Sequence, residues 1–142
     1  MTHHDRLRLI LHGAIVLLAG LLCGIPTVVE SLNESARVWH TAHEALIMLG
    51  IWLLAESSVL SALVLDPRQA TALLWALLAA GYGFLIGLVT GGIIGVSPFS
   101  PGDTPAAMLA FVAATIGIFG AVSAALLTLI GARAALTNAR GT

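Results

Sequence analysis

Four apolar stretches, separated by three short polar breaks, make up almost the whole chain. They run Leu7–Val29, Val38–Leu65, Thr71–Val96 and Pro105–Leu136, and each reaches the ~20 residues needed to cross about 30 Å of hydrocarbon. Lipid gives the backbone no hydrogen-bond partners, so the pattern predicts helices. The break "ESLNESAR" is polar, and "LDPRQ" holds a proline turn. "SPFSPGDTP" has three prolines and a glycine, with Asp103 or Thr104 placed to cap a helix that starts at Pro105. Connections this short predict an all-α, integral membrane four-helix bundle, up-down-up-down, as a single domain over residues 1–142.

Composition agrees with a membrane protein. The chain is 58% hydrophobic and 9% charged, with a mean hydropathy of +1.01, whereas soluble domains carry roughly 25% charged residues. It has no lysine and a net charge of −1, which leaves no polyanion-binding surface and argues against a nucleic-acid partner. The single cysteine, Cys23, excludes an internal disulfide and a cysteine metal cluster. The first apolar run passes any reasonable cleavage point without an A-x-A site, so it reads as a retained helix. Arg6, Arg8, Arg68, Arg133 and Arg140 fall on one side of a four-span chain, against Arg37 on the other. The positive-inside rule then puts both termini in the cytoplasm, in a multi-pass protein of the inner (cytoplasmic) membrane.

Glycines are patterned too. Gly83, Gly87, Gly91 and Gly95 recur every fourth residue along one face of the third span, and Gly13, Gly20 and Gly24 do so less regularly in the first. Small residues let helices approach closely in lipid. The stripe serves either packing within the chain or a seam between protomers, where a planar ligand could lie against a flat wall.

Ionisable side chains inside a span are costly and mark candidate sites. The stretch "ARVWHTAHEALIMLG" supplies His40, His43 and Glu44, and Glu56 and His12 complete the set. His43 lies roughly 10 Å below the outer surface at 1.5 Å per residue. Its imidazole suits metal or haem iron, or a hydrogen bond between helices. His40 shares its face, as a partner of His43 or a solvated headgroup residue. Glu44 is expected on the outer rim, paired with Arg37 or complementing the helix dipole. Glu56 is expected to be protonated, or bonded to a hydroxyl such as Ser57 or Ser61 of a neighbouring protomer. His12 lies about 12 Å or more from His43 by rise counting, which disfavours a bis-histidine haem. No three ligands stand at a zinc spacing.

Taken in order, three motifs resemble the small membrane isomerases typified by styrene oxide isomerase, with the hydroxylaminobenzene mutases as neighbours. They are His12–Gly13, the "ARVWHTAHEALIMLG" segment with Ala42–His43 and Gly50, and the loop carrying Phe99, Pro101, Gly102 and Asp103. The resemblance implies a homotrimer holding haem b between protomers, with His43 as the axial iron ligand. Arg37, Trp39 and His40 would then border the cofactor. It also implies an isomerase whose ferric iron acts as a Lewis acid on a lipophilic epoxide, giving a carbonyl compound. The same build implies an arylhydroxylamine mutase as an alternative, and a non-catalytic haem-binding membrane protein is a third reading. This chain departs from the family at the residues that position substrate. Leu49 stands where the family has an asparagine, and Gly83 or Leu85 where it has a tyrosine, with Tyr82 nearby as a candidate catalytic group. Leu46, Met48, Leu49, Trp39 and Phe84 are the side chains expected to line an apolar pocket.

Overall fold

The computed structural model describes residues 3–29 and 34–140. Four helices account for nearly all of them: α1 (His3–Val29), α2 (Glu34–Val59), α3 (Pro67–Ile94) and α4 (Pro105–Arg140). All four are long and apolar enough to cross a membrane, and no strand occurs among the described residues. The first break partly lies outside them, at residues 30–33.

The sequence places the helices correctly and misses some ends. α2 stops at Val59, six residues before the expected Leu65, and the chain turns through residues 60–62. The turn brings Leu63 and Leu65 against Gly131 of α4. It also puts Asp66 at the N-cap of α3, which starts at Pro67, four residues before the expected Thr71. There the Asp66 carboxylate accepts hydrogen bonds from the Arg68 and Gln69 amides, while the Gln69 side chain accepts from the Asp66 amide. This reciprocal cap, with Pro67 in the first turn, satisfies amides that the helix itself leaves unpaired. At the other end Gly95 adopts φ 70°, the left-handed conformation that closes a helix, and its N–H returns to the last turn of α3. α4 starts at Pro105 as expected, and of the two candidate caps it is Thr104 whose hydroxyl accepts from the Ala107 amide.

Neighbouring helices run antiparallel. Gly13 of α1 faces Leu53 and Leu54 of α2, Gly20 faces Leu46 and Ile47, and Gly24 faces His43. Along the α3–α4 seam, Gly120 meets Ala80, Gly83 meets Gly117, and Gly87 meets Ala114. Between α2 and α3, Leu53 reaches Gly81 and Trp39 reaches Gly92. The core follows helical spacing, with Leu9, Val16 and Cys23 from α1, Leu46 and Leu53 from α2, and Leu73, Leu77 and Leu88 from α3. The buried face of α4 is different. It consists of alanine and glycine alone, from Ala107 to Gly131, while Phe119, Leu126 and other large side chains point outward. A fold that packs its small residues and exposes its large ones suits lipid, where close backbone approach rather than water expulsion joins helices. The stripe thus resolves as packing within the chain at Gly83 and Gly87, and as a cap at Gly95.

Candidate functional site

His43 sits in a seat made by two glycines. Its Nδ1 lies 2.8 Å from the Gly20 carbonyl oxygen, so Nδ1–H donates across the α1–α2 interface. A helical carbonyl has two lone pairs and accepts this second donor without losing its own helix bond. The Nδ1–Cε1 side of the ring lies against Gly24, where an added Cβ would come within 2.8 Å of Nδ1 and 2.9 Å of Cε1. With Nδ1 protonated and held, Nε2 carries the lone pair, and among the described residues it has no hydrogen-bond partner. A backbone carbonyl on Nδ1–H is the arrangement that fixes tautomer and ring direction in a metal-binding histidine.

The other residues of the second span divide among different surfaces. Arg37 lines an outward cleft of about 410 Å³ with Thr41, Ser97, Pro98 and Phe99. Trp39 instead packs its indole over Gly92 of α3. His40 is exposed, with Nδ1 3.6 Å from Glu44, so the partner of Glu44 is His40 and not Arg37. A step of four residues along α2 puts these two side chains on neighbouring positions of its outer face, which brings the pair together. Within one protomer, then, the structure does not bring Arg37 or His40 onto His43.

A second cleft, about 310 Å³ and almost wholly apolar, is lined by Ala45, Met48, Leu49, Trp52, Phe84 and Ala121. It gathers three of the five expected pocket residues. Leu46 is fully buried in the core and Trp39 is committed to Gly92. Met48 is 67% exposed, so the cleft opens on the membrane side of the molecule. At 3.6 residues per turn, Ala45 and Trp52 lie about 180–200° round α2 from His43. The cleft and the imidazole therefore occupy opposite sides of one helix.

A family model described as styrene oxide isomerase matches residues 5–133. The chain belongs to the styrene oxide isomerase family. Membership points to an isomerase of that kind. No curated protein and no solved structure matches the chain.

Leu49 gives the cleft a hydrocarbon wall. Gly83 is buried in the α3–α4 seam and Leu85 is half-buried. Tyr82 turns away from His43 and bonds His12, Oη to Nδ1 at 2.6 Å, with the rings edge to face. His12 is level with Leu53 and Leu54, about 15 Å along α2 from His43 at 1.5 Å per residue.

Glu56 finds partners inside its own chain. Its carboxyl group accepts from Trp52 Nε1 at 3.0 Å, and Thr128 Oγ1 lies 3.3 Å from each oxygen. The Ser57 hydroxyl is occupied with the Leu54 carbonyl. Glu56 thereby ties α2 to α4 and fixes the indole that floors the apolar cleft. Glu56→Ala should leave the Trp52 N–H and Thr128 O–H unpaired in the interior, at a cost of about 1–3 kcal/mol. Detergent-denaturant unfolding of the variant reads that cost, and an unchanged transition would refute the bridge. Sequence reasoning singled out His43 and Glu56 but missed Gly20 and Gly24 as partners of His43, Trp52 and Thr128 as partners of Glu56, and the Tyr82–His12 pair. The four-residue spacing of Gly20 and Gly24 was a usable signal for a flat seat on α1.

Proposed function

We propose that the protein is a haem-b-dependent membrane isomerase that rearranges a lipophilic epoxide to a carbonyl compound. The observation that carries this reading is the seat of His43, in a chain of the styrene oxide isomerase family. The imidazole is partly buried, its tautomer is set by Gly20, and Nε2 would be the atom to hold the iron. Those features fit a haem ligand. When bound, ferric haem supplies a Lewis acid, a role worth several kcal/mol of charge stabilisation in metal-ion catalysis.

The chain's own residues do the rest. Gly20 and Gly24 hold the His43 ring in one direction. Met48, Leu49, Trp52 and Phe84 offer an apolar surface that takes up a substrate dissolved in the bilayer and keeps water from electron-poor carbon. Arg37 supplies a cation at the outer end of α2 for a haem propionate, with Trp39 one turn from His43. Because His43 and the apolar cleft lie on opposite sides of α2, a molecule touching both has to lie between copies of the chain. This supports haem at an interface between protomers, which in the assembly the family resemblance implies is a homotrimer. The arginine distribution supports cytoplasmic termini and residence in the inner membrane.

The test is the visible spectrum of protein purified in mild detergent, before and after dithionite, joined to an epoxide isomerisation assay. Wild type should show a Soret band and His43→Ala should lose both band and activity. Full haem occupancy in His43→Ala would remove His43 as the ligand.

A further inference from the structure

The apolar cleft lies in the gap between α2 and α4, with Phe84 reaching it from α3. Both helices run antiparallel to α3 and therefore parallel to each other, and the α4 backbone packs along α3 without reaching α2. Side chains join them instead, where Thr128 Oγ1 of α4 stands 3.3 Å from each carboxyl oxygen of Glu56 on α2. Leu49 and Ala121, which line the cleft from either helix, each stand seven residues before that bridge, or about 10 Å at 1.5 Å per residue. Trp52 falls between, three residues after Leu49 and four before Glu56, so its indole stands between the cleft and the bridge.

How much room the cleft offers depends on two rings. Ala45 and Ala121 contribute little bulk, whereas Trp52 and Phe84 are its largest side chains. The Phe84 ring rests on Gly117 of α4, where an added Cβ would lie 3.0 Å from Cδ2. Trp52 is held by a polar bond: Nε1–H, a donor only, gives its hydrogen to Glu56 Oε1 at 3.0 Å. Glu56 is 6% exposed, and a span offers the indole no water to bond in its place. An indole turns about two χ angles, so pinning its N–H leaves the ring little freedom. Thr128 meets both oxygens and keeps the carboxyl from swinging off the indole. An untethered apolar side chain can change rotamer and let a thicker molecule in, whereas this one has to break a buried hydrogen bond to do so.

We propose that Trp52 is the specificity-determining residue of the cleft. It sets the thickness of the apolar molecule admitted from the bilayer, and Glu56 and Thr128 are the residues that position it. The proposal rests on the reading of this cleft as the surface that takes up substrate.

The experiment photolabels the full chain, in phosphatidylcholine nanodiscs, with two apolar diazirines of different girth, phenyl(trifluoromethyl)diazirine and adamantane diazirine. Labels are mapped by mass spectrometry. The adamantyl-to-phenyl ratio at Leu49 and Phe84 is divided by that at Phe119, which is 69% exposed on the outer face of α4. Neither haem nor turnover enters the readout. Trp52→Ala should raise the normalised ratio by about tenfold, the lower end of what pocket shape contributes between close analogues. Trp52→Phe, which keeps a ring and loses the tether, should raise it less. Glu56→Leu and Thr128→Val remove the positioning groups and should shift it the same way. Glu56→Gln keeps an acceptor for the indole and should leave it as in wild type. An unchanged ratio in Glu56→Leu, whatever happens to its unfolding transition, would overturn the positioning role. An unchanged ratio in Trp52→Ala and Trp52→Phe would overturn the whole proposal and leave the isomerase reading standing. No labelling of Leu49 or Phe84 in wild type would overturn both the proposal and the cleft's part in that reading.

Discussion

If His43 holds haem as proposed, replacing Gly24 with alanine is expected to lower haem occupancy by about 10–100-fold, the range found when the group orienting a metal-ligating histidine is lost. The added methyl would fall 2.8 Å from His43 Nδ1 and 2.9 Å from Cε1. Those atoms belong to the end of a side chain, which turns aside at little cost to the fold. Turning aside breaks the Nδ1–H bond to the Gly20 carbonyl and redirects Nε2. Gly20→Ala makes the contrast. Its methyl would meet backbone, 2.7 Å from the Ile47 nitrogen and 2.9 Å from the Leu46 carbonyl carbon. Backbone cannot step aside, so α1 and α2 must separate and the whole hairpin weakens. Soret absorbance per mole of protein, taken beside the thermal transition in the same detergent, distinguishes the two variants. Gly24→Ala should lose colour and keep its transition, whereas Gly20→Ala should lose both. A fully coloured Gly24→Ala would mean that the seat does not orient the ligand.

The α3–α4 seam should be the most sensitive part of the fold. At Gly83 an added Cβ would lie 2.5 Å from the Gly117 nitrogen and 2.7 Å from the Ala113 carbonyl oxygen. Overpacking costs about 1–3 kcal/mol, and alanine recovers at most about 1 kcal/mol of helix propensity over glycine. Gly83→Ala is therefore expected to destabilise the protein by about 1–2 kcal/mol, and Gly83→Leu to prevent the hairpin from closing. Phe119→Leu is the control, since Phe119 is 69% exposed on the outer face of α4 and should be near neutral. Unfolding by increasing SDS in mixed micelles reads all three. A Gly83→Leu protein as stable as wild type would show that the helices do not meet there.

The four spans and the proline start of α4 were legible in the sequence. Each rests on information local to the chain: apolar length, or a proline whose fixed φ and missing N–H suit the first turn of a helix. The end of α2 was not legible, because residues 60–65 are as apolar as the helix before them and hydropathy does not mark their turn. What ends α2 is tertiary, the fit of Leu63 and Leu65 on Gly131. Partners were the harder problem. Glu44 was expected to pair with Arg37 or complement the helix dipole and meets His40, Glu56 was expected to be protonated or to bond a hydroxyl of a neighbouring protomer and holds Trp52 and Thr128 of its own chain, and Tyr82 turned to His12. A membrane helix is apolar all round, so its sequence carries little record of the angle at which each side chain leaves it. That angle is set when the helices dock glycine against backbone, and only the docked structure shows which polar groups then lie within reach.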